Sequence, residues 1–225
     1  MDTKALPATV VPQDPIGLAR RLRERTAALH TRAEGAGVIR EILRGEATRA
    51  GYTMYLRNLL VAYQALERGL TRYQAYPGVR LVACAELFRS AAIERDLAGL
   101  CGPGWAELVP LLSAGRAYAE AIEAAGGRDG VGLIGHAYTR YLGDLSGAQL
   151  LKRSLERSLG LGADCLAFYA FPDIADLGAF RAGYRTAIDA AADEIAGHDE
   201  VIAAAEQGFS HTIDIALAIQ GASVR

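Results

Sequence analysis

Residues 135–151, GHAYTRYLGDLSGAQLL, read as a helix that carries glycines where a core helix would carry large apolar side chains. Arg140, Gly143, Asp144, Gly147, Ala148 and Leu151 stand at i, i+3, i+4, i+7, i+8 and i+11, the spacing of a single helix face. A glycine inside a helix costs about 0.5–1 kcal/mol relative to alanine, so two of them one turn apart need a compensating close approach. Tight packing of one helix on another would supply it. So would a bulky, flat ligand lying on the thin face. Asp144 strains the first explanation, because a carboxylate in a close-packed contact must find partners or bear a large desolvation cost.

The rest of the chain bounds the fold. At 225 residues it is long enough for one substantial core, and a single domain over residues 14–225 is expected, preceded by a loose arm over 1–13 that holds Pro7 and Pro12. Asp14 and Pro15 form a capping pair for a first helix that continues through Leu22, Thr26, Leu29, His30 and Ala33 and ends at Gly35 and Gly37. Further helical patterns cover residues 52–70, 81–98, 105–125, 131–159, 177–196 and 198–219. Period-two strand patterns are missing and alanine is abundant, so the fold class is all-α, a helical bundle. The net charge of −2 gives no general attraction to nucleic acid or to an anionic membrane. Cys84, Cys101 and Cys165 are odd in number and lack metal-ligand spacing, which suits a reducing cytoplasm. No targeting segment or span-length apolar run is present, so a cytoplasmic protein without a membrane anchor is expected. A monomer is the expectation in the absence of a sustained heptad seam.

His30 is the candidate metal ligand. A solitary histidine at a helix edge more often serves packing or a hydrogen bond. Here Glu34 follows at i+4, where it can accept the proton of one ring nitrogen and make the other a better ligand. Arg23 lies two turns earlier on the same side, about 10 Å along the axis, where it could meet a carboxylate at a ligand's edge.

One helix offering an axial histidine and another offering a thin face with an acid leave room for heme, and these segments resemble the heme oxygenase family. His136-Ala137-Tyr138-Thr139-Arg140-Tyr141-Leu142-Gly143-Asp144-Leu145-Ser146-Gly147 is similar to the family's distal-helix signature almost letter for letter. His30-Thr31-Arg32-Ala33-Glu34 resembles the proximal-ligand motif, and Leu166-Ala167-Phe168-Tyr169-Ala170-Phe171-Pro172 a third family segment. The resemblance implies an all-helical fold with heme b, both cofactor and substrate, between a proximal helix bearing His30 and a distal helix kinked at Gly143 and Gly147. It implies oxidative opening of heme at a meso carbon to biliverdin, carbon monoxide and ferrous iron, with dioxygen as co-substrate and electrons from a ferredoxin or flavin reductase. Asp144 would anchor the water that delivers the proton oxygen activation needs, supported by Arg140 and Tyr63. Arg23, Tyr138, Arg181 and Arg185 would hold the propionates, although Arg181 and Arg185 equally suit a solvated helix face and Tyr138 a core. Two departures stand out: Ala148 where the family usually has a further glycine, and Thr212 where it often has asparagine. A heme storage or transport protein, or a helical scaffold whose glycines only admit a neighbouring helix, remain the alternatives.

Overall fold

The computed structural model describes residues 17–223, all of whose regular elements are helical. The arm expected over residues 1–13 lies outside the described residues. In chain order the helices are α1 (Leu18–Glu34), α2 (Gly37–Arg44), α3 (Arg49–Tyr73), α4 (Val79–Val82), α5 (Ser90–Cys101), α6 (Trp105–Leu108), α7 (Ser113–Gly126), α8 (Val131–Ala137), α9 (Gly143–Ser146), α10 (Ala148–Leu159), α11 (Leu177–Ala192) and α12 (His198–Ser223). A π turn over Tyr138–Leu142 joins α8 to α9, and short 3-10 turns occupy Ala85–Leu87 and Ala167–Tyr169.

Two long helices form the frame. Tyr52, Leu56, Leu59, Tyr63, Leu66 and Leu70 of α3 are buried at helical spacing, and α3 packs on α7, α5 and α12. On the other side α12 packs on α8, α1, α2 and α7. Between them, every residue from Val131 to Leu142 is buried, so α8 and the π turn run through the interior rather than along the surface.

Several helix ends are capped from distant helices, and this is where the sequence expectations fail. The Asp14–Pro15 capping pair lies outside the described residues; α1 begins at Leu18 after Gly17, which has no side chain to cap it. Instead Asp189 of α11 accepts a hydrogen bond from the Ala19 amide at 2.8 Å. The expected helix 81–98 divides in two, because Glu67 of α3 accepts from the amides of Arg89 and Ser90 and so starts α5 anew. The expected helix 105–125 divides at Pro110, where buried Asn58 accepts from the Leu112 amide at 2.8 Å and donates to the Met54 carbonyl at 2.9 Å. The short α2 is an addition: Gly37, at φ +37°, lies so close to the Ala216 backbone that any side chain there would collide, and the chain resumes a helix at once instead of turning away.

The Asp189 cap fixes the start of the helix that carries His30. Asp189→Ala is expected to lower the denaturant midpoint by the equivalent of about 1 kcal/mol with an unchanged m-value, as loss of a helix cap typically does. Chemical denaturation followed by circular dichroism checks it.

Candidate active site

The distal run carries two kinds of glycine. A side chain on Gly135 would collide with the Val201 carbonyl, and one on Gly132 with Ala125, so these two let α8 lie against α12 and α7. Gly143 is different: a Cβ built there meets nothing within 4 Å, and one on Gly147 meets only the Gly143 carbonyl at 3.7 Å. Both are exposed directly beyond the buried segment. Close helix packing therefore accounts for Gly132 and Gly135 and does not account for Gly143 and Gly147, which form a side-chain-free shelf. The backbone at both stays right-handed helical, at φ −61° and −92°. The irregularity comes from the π turn before Gly143 and from the break between α9 and α10 at Gly147, where one continuous helix over 131–159 was the sequence expectation. The side chain of Ala148 lies outside the described residues.

Beside the shelf stands the acid. Asp144 Oδ2 accepts a 2.6 Å hydrogen bond from the Tyr63 hydroxyl. Part of Asp144 remains open, yet protein encloses its carboxyl group enough to push its pKa up to about 6, against the opposing pull of Arg140 and of the Tyr63 bond. Burial and the Asp144 charge hold the Tyr63 phenol far above its ordinary value, so Tyr63 is a permanent donor. Arg140 is 8% exposed and lies over two rings, 6.0 Å from the centroid of Tyr63 and 5.9 Å from that of Tyr118. The single stripe read from periodicity thus divides in space: Arg140 turns into the phenol cluster, the glycines face outward, and Asp144 sits at the boundary. Phe168, in the third family-like segment, packs edge-on against Tyr63 at 5.6 Å and is placed by Asp96, which accepts from the Ala167 and Phe168 amides at 2.6 and 2.8 Å.

On α1, His30 is exposed over 55% of its side chain and leans edge-on against Phe209 of α12 at 5.7 Å. Its Nδ1 lies 3.7 Å from Glu34 Oε1, an ion-pair distance rather than a hydrogen bond, so Glu34 steers the ring without holding its proton directly. Nε2 is then the nitrogen left to meet a ligand. Tyr138 connects α1 to the distal run. Burial raises its phenol pKa, while Thr26, Arg185 and Arg23 beside it act in the opposite direction, which places two cations from α11 and α1 at one tyrosine. Arg181 lies one turn before Arg185 on α11, half-buried. The donor set is therefore an exposed imidazole, a shelf without side chains, and cations at one edge, which fits a flat, metal-bearing, anionic ligand.

Sequence reasoning missed a group behind Arg140. Tyr118 of α7 lies between two imidazoles, stacked on His211 at 5.2 Å and tilted against His136 at 5.8 Å. His136 is fully buried with both nitrogens unpartnered, and burial, His211 and Arg140 press its pKa down to about 3. The signal available was His136 itself, inside the distal signature. Thr212 does not contribute: its hydroxyl bonds back to the Gly208 carbonyl at 2.7 Å.

The chain is similar to known proteins over most of its length. The sequence model of the heme oxygenase family matches residues 16–217. Human heme oxygenase 1 is 36% identical over 208 residues, covering 91% of this chain and 71% of the human one. Heme oxygenase 1 of Nostoc sp. (strain PCC 7120) is 34% identical over 205 residues, covering 91% and 86%. The crystal structure of heme oxygenase-1 from Synechocystis sp. PCC6803 in complex with heme superposes with a TM-score of 0.87 at 31% identity, covering 93% of this chain and 95% of that one.

A histidine held neutral in the folded state costs stability as acid protonates its unfolded counterpart. The sign is fixed by the depressed pKa: the contribution is complete above the unfolded value of about 6.5 and lost as pH falls towards 3. Between pH 7 and 4.5, His136→Phe should therefore lose on the order of 2–3 kcal/mol less stability than the parent. Urea midpoints at the two pH values give the comparison.

Proposed function

The chain belongs to the heme oxygenase family, and from that premise we propose how its own residues open heme, its substrate. The reading assigns residues 14–225 to one catalytic domain. Heme b would be held between α1 and the distal run, with His30 Nε2 as the iron ligand and the Gly143–Gly147 shelf facing it. Bound there, it supplies both the site of dioxygen activation and the carbon skeleton that is opened, at a meso carbon, to biliverdin, carbon monoxide and ferrous iron. Glu34 orients the His30 ring. Arg23, Tyr138, Arg181 and Arg185 bind the propionate edge and so fix the in-plane rotation, which selects the meso carbon. The bare backbone at Gly143 and Gly147 lets a flat ligand approach the distal run closely.

The single observation that carries the catalytic reading is the Tyr63–Asp144 pair beside that shelf. A carboxylate held partly open, with one oxygen fixed by a phenol at 2.6 Å, has its second oxygen free to hold water. Its pKa of about 6 lets it give and take a proton near neutrality. A heme storage or transport protein would need the pocket and His30, but the costly placement of Asp144 has no use there. Electrons come from a reductase, with a ferredoxin or flavin reductase as the proposed class. No described helix is long and apolar enough to cross a membrane, and we place the enzyme in the cytoplasm as a monomer.

Mixing the protein with one equivalent of hemin in air, then adding a reductase system with catalase present, should give loss of the Soret band and growth of the broad red absorption of biliverdin. Asp144→Ala should bind heme within a few-fold of the parent affinity and form biliverdin at least about 100-fold more slowly, the usual scale of a lost proton-transfer group. A stable Soret band in the parent, despite reduction and oxygen binding, would leave the carrier reading. His30→Ala should change the ferric spectrum, with recovery on adding imidazole; an unchanged spectrum would remove His30 as the axial ligand.

A further inference from the structure

Behind Arg140, four buried polar atoms in contiguous side chains have no hydrogen-bond partner: the Tyr118 hydroxyl, both nitrogens of His136 and Nε of Arg140. Buried polar groups are very rarely left dry, and a cluster of this size is a place where internal water sits. The cluster spans the distance from the acid to the outside. At its inner end Arg140 reaches the Tyr63 ring, and Tyr63 bonds Asp144. At its outer end His211 of α12 is half-buried, stacked on Tyr118 at 5.2 Å with an interplanar angle of 14°.

We propose that His211 is the group through which protons enter from solvent, passing by water enclosed among Tyr118, His136 and Arg140 to the water held on Asp144. The proposal rests on the reading of Asp144 as the anchor of the proton-delivering water. Each proton released from His211 into the enclosed water is replaced by one taken from bulk solvent at the exposed edge of its ring, and no electrons move. Arg140 has donors only, so it holds the water and is not itself a carrier. Tyr118 and His136 hold both donor and acceptor capacity and can pass a proton along. Gly208 packs close to this group: a Cβ there would stand 3.1 Å from the Tyr118 hydroxyl. The groups facing His211 are Tyr118 of α7, stacked on its ring, His136 of α8, whose pKa it lowers, and Asp214 of its own helix, whose charge supports the protonated form against burial. His211 is thus a positioning and relay residue that touches neither heme nor oxygen.

His211→Phe preserves the stack on Tyr118 and removes the proton carrier. Its heme spectrum and affinity should match the parent, while biliverdin formation slows several-fold, the solvent deuterium isotope effect rises, and raised concentrations of a morpholine buffer restore the rate. Tyr118→Phe should give the same pattern. In the protein without heme, nuclear magnetic resonance should show magnetisation transfer from water to the His136 ring protons. Equal rates and isotope effects in parent and His211→Phe would overturn the role of His211, and absence of the water transfer would overturn the enclosed water. A parent that makes no biliverdin would sink the functional reading instead, and the water transfer would then still decide whether the passage exists.

Discussion

One buried positive charge organises the interior of this site. Arg140 is almost out of contact with solvent, and a guanidinium in that position is tolerated only if its surroundings supply compensating charge and dipoles. Asp144 supplies the charge, and the phenols of Tyr55, Tyr63 and Tyr118 supply the polar faces around it. The mutual dependence has a chemical consequence. Burial alone would keep Asp144 protonated well above the ordinary carboxylate range; the arginine and the Tyr63 bond pull it back to about 6. An acid balanced near neutrality is therefore a product of two opposed large effects, and removing either partner would unbalance it.

The π turn is the backbone side of the same arrangement. A regular α-helix from Val131 to Leu159 would carry its interior face onward past Leu142, burying the next turn as well. The wider turn at Tyr138–Leu142 absorbs the misfit, so that a helix buried on all sides becomes, within one turn, a helix with an open face. The glycines follow the change. Those before the π turn are filled by neighbouring helices, and those after it face open space. Glycines 8 to 15 positions apart thus serve packing in one place and leave an open face in the other, which explains why periodicity alone left both explanations standing.

What the sequence made legible divides along the same line. The helical class, the course of α3 and the last two helices are carried by repeated apolar spacing. Tyr63 and Asp144, 81 residues apart, could be brought together only through resemblance, since no local pattern links them. The restarts at Ser90 and after Pro110 depend on Glu67 and Asn58, polar residues inside an otherwise apolar helix whose partners belong to other segments. The Tyr118–His136–His211 group was hidden for a related reason. Periodicity tells which residues share a face, but not which faces of α7, α8 and α12 meet, and the family resemblance pointed to Thr212, which spends its hydroxyl on its own helix.

These cross-helix caps bear on function through rigidity. Asp189, which starts α1, lies one turn beyond Arg185 on α11, and Arg185 meets Tyr138 of the π turn together with Arg23 of α1. The helix bearing the axial histidine, the helix bearing the edge cations and the distal run are therefore tied at one end of the pocket. Past Gly143, α9 packs on α11 and α10. In the proposed reading a flat ligand would be held by its anionic edge where these three elements are tied, so this tethered end would set which carbon is cut.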